Sequence, residues 1–312
     1  MVMVDGEIVD FGGSHLDSPN YDFLPLITGS EGQLGVVTEA SVRLLAAPEG
    51  ARPVLIGFDS AQAAASCVAA IIASGIIPVA IEFMDRPAIH VCEHFVPAGY
   101  PLDAEAALIV EVEGSEDEIE YLLEKIEDIA QDYNPISTRR SQSAEESALI
   151  WKGRKAAFGA IGQVSDYMCM DGVIPLSALS AALEGVSQIC RKYRFDVANI
   201  FHAGDGNLHP LVLYDANDPG QLERVELCGA EILKLCVELG GCLTGEHGVG
   251  IEKRELMYEQ FTDEDIDQQV RIKEELDPAW LLNPGKVFPI LGRDALKLTM
   301  DLTRLEAGRD DA

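Results

Sequence analysis

The chain has 312 residues, 47% of them hydrophobic, and a net charge of −30. That length and apolar fraction describe a globular protein with room for two domains, and exclude an intrinsically disordered one. The acidic balance excludes a nucleic-acid groove or a face for anionic membranes.

The first stretch is unusual. Val2–Val4, Asp5-Gly6 and Glu7–Phe11 read as a hairpin without a lead-in, and Leu24–Gly35 as a Gly-punctuated turn region. Val36–Leu45 alternates like a strand or a short helix-strand unit. A segment of about 47 residues buries too little apolar surface to stand alone, so residues 1–47 read as the carboxy-terminal remnant of a larger domain.

From Arg52 the pattern is regular. A strand at Pro53–Phe58 precedes an Ala-rich helix, Ser60–Ser74, with Asp59 or Ser60 as N-cap and Gly75 after its end. A strand at Ile76–Met84, a helix at Pro87–Val96 with proline in its first turn, and a strand at Ala106–Glu113 follow. Ser115–Tyr133 is an acidic helix opened by a capping box, Ser115 with Glu118, and Ile136–Arg140 is another strand. His90 and His94 lie one helical turn apart with no third ligand near in sequence, so they read as structural. The spacing fits an antiparallel or mixed sheet with helices on one side.

Ser143–Ile161 is a helix carrying Trp151-Lys152-Gly153-Arg154-Lys155. These cations are either a solvated basic patch or a guanidinium aimed into a pocket to clamp a carboxylate. Met168–Ile174 reads as a strand and Leu176–Tyr193 as a helix. Then comes Asn199–Asp215, NIFHAGDGNLHPLVLYD, two apolar strands with one histidine each. Asp205-Gly206 signals a two-residue type I′ turn, which would set His202 directly opposite His209 with Cβ atoms about 5 Å apart. Two imidazoles so placed can hold one metal ion; the bland alternative is a sheet with two satisfied histidines.

After the amphipathic helix Pro219–Leu239 comes Cys242–Gly250, CLTGEHGVG. Its glycines let the backbone turn tightly. Glu246 would give a third, oxygen ligand and leave positions open for a substrate, as catalytic metal sites do. Adjacent side chains diverge, so His247 would face a neighbouring space and serve as a general base. Glu252–Gln260 resumes as helix, Leu281–Val287 is a Pro-Gly turn, and 291–312 reads as an acidic tail. The cysteines (67, 92, 169, 190, 228, 236, 242) contain no CxxC pair and read as reduced packing residues. No apolar run reaches the ~18 residues of a transmembrane helix and no signal peptide is present, so the expectation is a cytoplasmic protein.

The motifs TGSEGQLGVVTE, WKGRKAAF, NIFHAGDGNLHPL, TGEHGVGIEK and LLNPGK, in this order, resemble the flavin subunits of glycolate oxidases. Those belong with the FAD-linked D-2-hydroxy-acid dehydrogenases of the vanillyl-alcohol-oxidase type. The resemblance runs from about Asp5 to Pro289. It implies oxidation of a 2-hydroxy acid to a 2-oxo acid by hydride transfer to FAD. It also implies His202, His209 and Glu246 as ligands of a divalent metal (Zn, Mn or Fe), His247 as the base, and Arg154 as the partner of the substrate carboxylate. Gly32, Gly35 and Val37 fall where the family lines the flavin with backbone, and Asn283 falls near the isoalloxazine. Relatives that use dicarboxylates carry a threonine and a lysine where Phe158 and Cys169 stand here, which favours a small monocarboxylate such as glycolate or lactate.

The family's amino-terminal half, with the turn that cradles the FAD pyrophosphate, has no counterpart here. The expectation is therefore a chain that binds FAD poorly alone, completed by a separately encoded half or else a truncated product. The resemblance further implies iron–sulfur and second flavin-type subunits of a glycolate oxidase complex, which would hold the protein at the periphery of the inner membrane. The expected fold is α+β: an antiparallel sheet with helices, a ferredoxin-like substrate (cap) domain over 48–290 whose residues 281–290 return toward the flavin, plus the partial FAD-binding α+β domain at 1–47. The competing functional readings are a metal-dependent hydrolase and a non-catalytic remnant.

Overall fold

The computed structural model describes residues 1–13 and 21–289, which divide into two units. The larger is Leu45–Glu246; the smaller joins Met1–Leu44 to the chain from His247 on. The acidic tail expected at 291–312 lies outside the described residues.

In the smaller unit, Val2 bridges both Ile8 and Val36, with a turn in which Met3 N donates to the Glu7 carbonyl at 2.8 Å. Leu24–Ile27 is a single helical turn, α1. The strand read over 36–45 is not there: beyond the Val36 bridge the backbone to residue 48 is irregular, and Val42, Leu44 and Leu45 are exposed. Alternation makes a strand only where a neighbouring edge accepts its backbone groups, and among the described residues that edge ends at Val2.

The larger unit begins β1 (Gly50–Phe58), α2 (Ala61–Ala73), β2 (Ala80–Asp85), α3 (Arg86–Phe95), β3 (Ala106–Gly114), α4 (Glu116–Gln131) and β4 (Ser137–Arg140). The caps are local and legible. Ser60 Oγ accepts from Ala63 N at 3.0 Å, Asp85 from Ala88 N at 3.2 Å, and Ser115 with Glu118 completes a capping box. The strands pair antiparallel in the order β4-β1-β3-β2. With α2 and α4 as its connecting helices this is the ferredoxin-like arrangement, α3 being inserted between β2 and β3.

Next come α5 (Ala144–Gly162), β5 (Asp166–Cys169), β6 (Gly172–Val173), α6 (Leu179–Tyr193), β7 (Val197–His202), β8 (Asn207–Leu208), β9 (Pro210–Tyr214) and α7 (Pro219–Glu238). β7 extends the sheet by pairing with β2, and also pairs with β8 and β9. The strand expected over Met168–Ile174 is split into β5 and β6, because the two pieces pair with different strands, β9 and β8.

Both faces of the sheet are covered, not one. Val54, Ile56, Phe58, Leu108, Val110, Phe83 and Phe201 pack with α2, α4 and α6. The alternate residues Leu55, Ala107, Ile109, Met84 and Ile200 pack with α3 and α5. Side chains along a strand alternate between faces, so a strand apolar at nearly every position, as β3 is, must be buried on both.

The smaller unit resumes with α8 (Met257–Gln260) and α9 (Asp263–Leu276). The helix expected over Glu252–Gln260 is only its last turn, preceded by a 3₁₀ turn. The α9 helix was not anticipated, although Thr262 and Asp265 form a capping box at its start.

Candidate functional site

The turn after β7 sets the geometry. His202 pairs with Asn207, not His209, and the deeper rung is Asn199 with Pro210. Ala203–Asp205 form a 3₁₀ turn closed by Gly206 at φ 70°, so the connection is longer than the two-residue turn expected from Asp205-Gly206. The register therefore slips by two residues, and His209 becomes a diagonal neighbour of His202. Because side chains alternate with period two, that slip leaves both imidazoles on one face. Their ring centroids are 5.4 Å apart at 85°.

Glu246 meets both rings. Its Oε1 lies 3.0 Å from His209 Nε2 and 3.6 Å from His202 Nε2. The three ligand atoms fall within 4.8 Å of one another. Each histidine uses its other nitrogen elsewhere: His209 Nδ1 donates to the Met170 carbonyl at 3.2 Å, and His202 Nδ1 is 2.9 Å from Glu82 Oε1. Two Nε2 atoms and one carboxylate oxygen, with the Nδ1 atoms held by outer partners, suit a divalent metal. His209 is buried while Glu246 is 55% exposed, so such a centre would open on the Glu246 side.

The loop that carries Glu246 is tied down by Asp171. This fully buried carboxylate accepts from Thr244 Oγ1 at 2.6 Å, Gly245 N at 3.1 Å, Glu246 N at 3.1 Å and Asn207 Nδ2 at 2.9 Å. It thus joins the Glu246 loop to the strand that precedes His209.

Arg154 points inward from α5, while Lys152 and Lys155 are exposed. Its Nε and Nη2 donate to Glu82 Oε2 at 3.2 and 2.8 Å. Burial pushes the Glu82 carboxyl up, but the His202 bond and the Arg154 charge outweigh it and hold it below the usual carboxylate range. The Glu82 hydrogen bond in turn raises His202 despite partial burial. Phe158 lies edge-on to the His209 ring at 6.1 Å, and Cys169 Sγ is 4.0 Å from His209 Nδ1. Sequence reasoning missed Glu82 and Asp171. The signal for Glu82 was present: a carboxylate flanked on both sides by apolar residues of β2.

In the smaller unit, Gly32, Gly35, Val37 and Asn283 line one pocket of about 560 Å³, together with residues 29–31 and Leu281-Leu282. Gly32 has φ 69°, and a Cβ there would meet Asn283 Nδ2 at 2.6 Å. Asn283 Nδ2 donates to the Glu31 carbonyl at 2.7 Å, and the Glu31 carboxylate accepts from Val249 N and Gly250 N at 2.7 and 2.9 Å. A backbone-lined cleft of this size suits part of a flavin. His247 is exposed and begins this unit.

The fold is shared with enzymes of known structure. p-Cresol methylhydroxylase superposes with a TM-score of 0.73 at 14% identity, over 93% of this chain and 64% of that one. The 4-ethylphenol oxidase of Gulosibacter chungangensis gives 0.69 at 16% identity, over 92% and 64%. Residues 47–287 match the model of the FAD linked oxidases, C-terminal domain, and the chain belongs to that family. It is 48% identical over 293 residues to the glycolate oxidase subunit GlcD of Escherichia coli K12, covering 94% of this chain and 59% of the relative. The GlcD subunit of Bacillus subtilis is 37% identical, over 95% and 63%. A probable mitochondrial D-lactate dehydrogenase of Danio rerio is 29% identical. The chain spans about three-fifths of the length of these relatives.

Among the described residues no helix is long and apolar enough to cross a membrane.

Proposed function

We propose that this chain is the substrate- and metal-binding part of a flavin-dependent oxidoreductase that converts a small D-2-hydroxy acid, glycolate or D-lactate, to its 2-oxo acid. The observation that carries this is the convergence of His202 Nε2, His209 Nε2 and Glu246 Oε1 within 4.8 Å, in a chain of the FAD linked oxidase family. Bound FAD supplies the hydride acceptor, and a bound Zn, Mn or Fe ion supplies a Lewis acid for the substrate oxygens.

The protein's own groups bind and orient. His202, His209 and Glu246 would hold the metal. The edge of Arg154 not taken by Glu82 pairs with the substrate carboxylate. His247, adjacent to Glu246 in the chain, accepts the hydroxyl proton on an imidazole nitrogen. Gly32, Gly35, Val37 and Asn283 hold the flavin at their shared pocket. Phe158 and Cys169 give the surroundings of His209 an uncharged wall, which suits a monocarboxylate with a small remainder. Electrons leave to an iron–sulfur subunit of a glycolate oxidase complex that also holds a second flavin-type subunit. The assembly works in the cytoplasm, at the inner-membrane periphery through its partners.

The test is metal content and Zn²⁺ and Mn²⁺ titration of the purified chain and of His202→Ala and His209→Ala, with dye reduction by glycolate and D-lactate when FAD and the remaining length of a GlcD relative are added. We expect one ion per chain, lost in both variants, and dye reduction only in the complete mixture. Metal binding that survives both substitutions would overturn the reading. Ester hydrolysis without flavin would replace it with a hydrolase.

A further inference from the structure

Glu82 is a carboxylate in the middle of a sheet strand, 5% exposed, directly paired with His202 across the β2–β7 ladder. An ionised carboxylate in such a place is costly unless both oxygens are engaged. Here they are, on different partners. Oε1 faces His202 Nδ1 at 2.9 Å, and Oε2 takes both Nε and Nη2 of Arg154.

A carboxylate can only accept, so the His202 nitrogen that faces it must carry the hydrogen. In the neutral ring that leaves Nε2, the atom near Glu246 Oε1, with its lone pair free. The same carboxylate occupies the Nε edge of Arg154 and orients the guanidinium, so that its outer edge is the one left for an anion. We propose that Glu82 is a positioning residue: it selects the His202 tautomer that can ligate a metal through Nε2 and sets which edge of Arg154 meets substrate. This rests on the metal reading above only for its second readout.

Glu82→Gln gives the sharp test because it keeps shape and volume. An amide has one oxygen and one NH₂ group. Arg154 can only donate and takes the oxygen, which leaves NH₂ facing His202 Nδ1. That nitrogen must then accept, so the ring proton moves to Nε2 and blocks the ligating lone pair. The measurement is nitrogen NMR of the metal-free, ¹⁵N-histidine-labelled chain, at a pH where the ring is neutral, with His202→Asn to assign the signal. We expect Nδ1–H in the parent and Nε2–H in Glu82→Gln. By calorimetry, Zn²⁺ affinity should fall about 10–100-fold in Glu82→Gln, the usual effect of losing an outer partner of a ligating histidine. The exposed-helix variant Glu124→Gln should match the parent in both. An unchanged tautomer in Glu82→Gln overturns the proposal, as does unchanged Zn²⁺ affinity in a parent that binds. A tautomer switch in a parent that binds no Zn²⁺ supports the role of Glu82 and overturns the metal reading alone.

Discussion

Lys273 and Asp277 form an ion pair of 2.5 Å with both side chains fully buried, one turn apart at the end of α9. The ammonium also donates to the Gln33 carbonyl at 2.7 Å and the Leu282 carbonyl at 2.8 Å. Asp277 accepts from Leu281 N and Leu282 N at 3.0 and 2.8 Å. Leu281 and Leu282 line the pocket assigned to the flavin, and Gln33 sits between its lining residues Gly32 and Gly35. One buried pair therefore anchors both walls. Lys273→Met would leave Asp277 charged and unpaired in the interior, at a cost of about 3–5 kcal/mol. We expect urea unfolding to show that loss. We also expect Lys273→Met/Asp277→Asn to recover stability but not FAD affinity, since the two carbonyls stay unanchored. FAD titration by fluorescence quenching checks the second part; parent-like affinity in the double variant would show that the walls hold without the pair.

The same pair fixes a pH dependence. Burial alone would push the Asp277 carboxyl up, but the bonds from Lys273 and the two amides win and hold it below the ordinary carboxylate value. The unfolded chain thus takes up this proton at a higher pH than the folded one. The contribution to stability is fully present above the ordinary carboxylate value, near 4, and is lost as pH falls through the depressed folded one. Unfolding free energies of the parent and Asp277→Asn, measured from pH 6 down to pH 3, should converge at the acid end. A constant difference across that range would contradict the assignment.

Asp171 gives a third expectation. It accepts four hydrogen bonds from the Glu246 loop and Asn207. In Asp171→Asn one acceptor oxygen is replaced by an NH₂ that faces donors. Leaving buried donors without partners costs about 1–3 kcal/mol each, so a total of about 3 kcal/mol is expected even with some relaxation. The Glu246 loop would lose its anchor, and Zn²⁺ binding should weaken at least tenfold in calorimetry while the far-UV circular dichroism stays that of the parent. Unchanged Zn²⁺ binding would mean that the loop holds Glu246 without Asp171.

What could be read from the sequence was local or periodic. The caps at Ser60 and Ser115 were visible because a polar side chain that satisfies a helix amide sits within three residues of it. The facing of His202 and His209 was visible for a weaker reason: the face depends on register only through parity, so a two-residue error in the turn left it intact. Glu82 was not visible as a partner, because its role is set by strands far apart in sequence that pair through β2 and β7. The α9 helix escaped because it buries only Ile266, Val270 and Lys273, too few apolar positions for a periodic signal, though its Thr262 and Asp265 cap was there to read. In the opposite direction, the alternation of 36–45 suggested a strand for which the described residues provide only one bridge.

The turn between the histidine strands makes its own prediction, through two glycines that differ in what surrounds them. Gly206 has φ 70°, in the left-handed region, and a Cβ there would lie 2.2 Å from the Ile174 carbonyl oxygen. That carbonyl belongs to the backbone that follows β6, and Ile174 N donates to the Gly206 carbonyl at 2.9 Å, so neither side can withdraw without breaking a bond. Gly204, two residues earlier, would place a Cβ no nearer than 3.4 Å to the Ile81 side chain. Gly206→Ala combines left-handed backbone strain, on the order of 1–3 kcal/mol for a non-glycine residue, with a backbone clash. Gly204→Ala meets only close van der Waals contact and loses unfolded-chain entropy, so it should be neutral or stabilising by up to about 1 kcal/mol. Thermal unfolding of the two variants beside the parent separates them. Equal midpoints would mean that the turn is not held in this conformation, and the diagonal placement of His202 and His209 would lose its support.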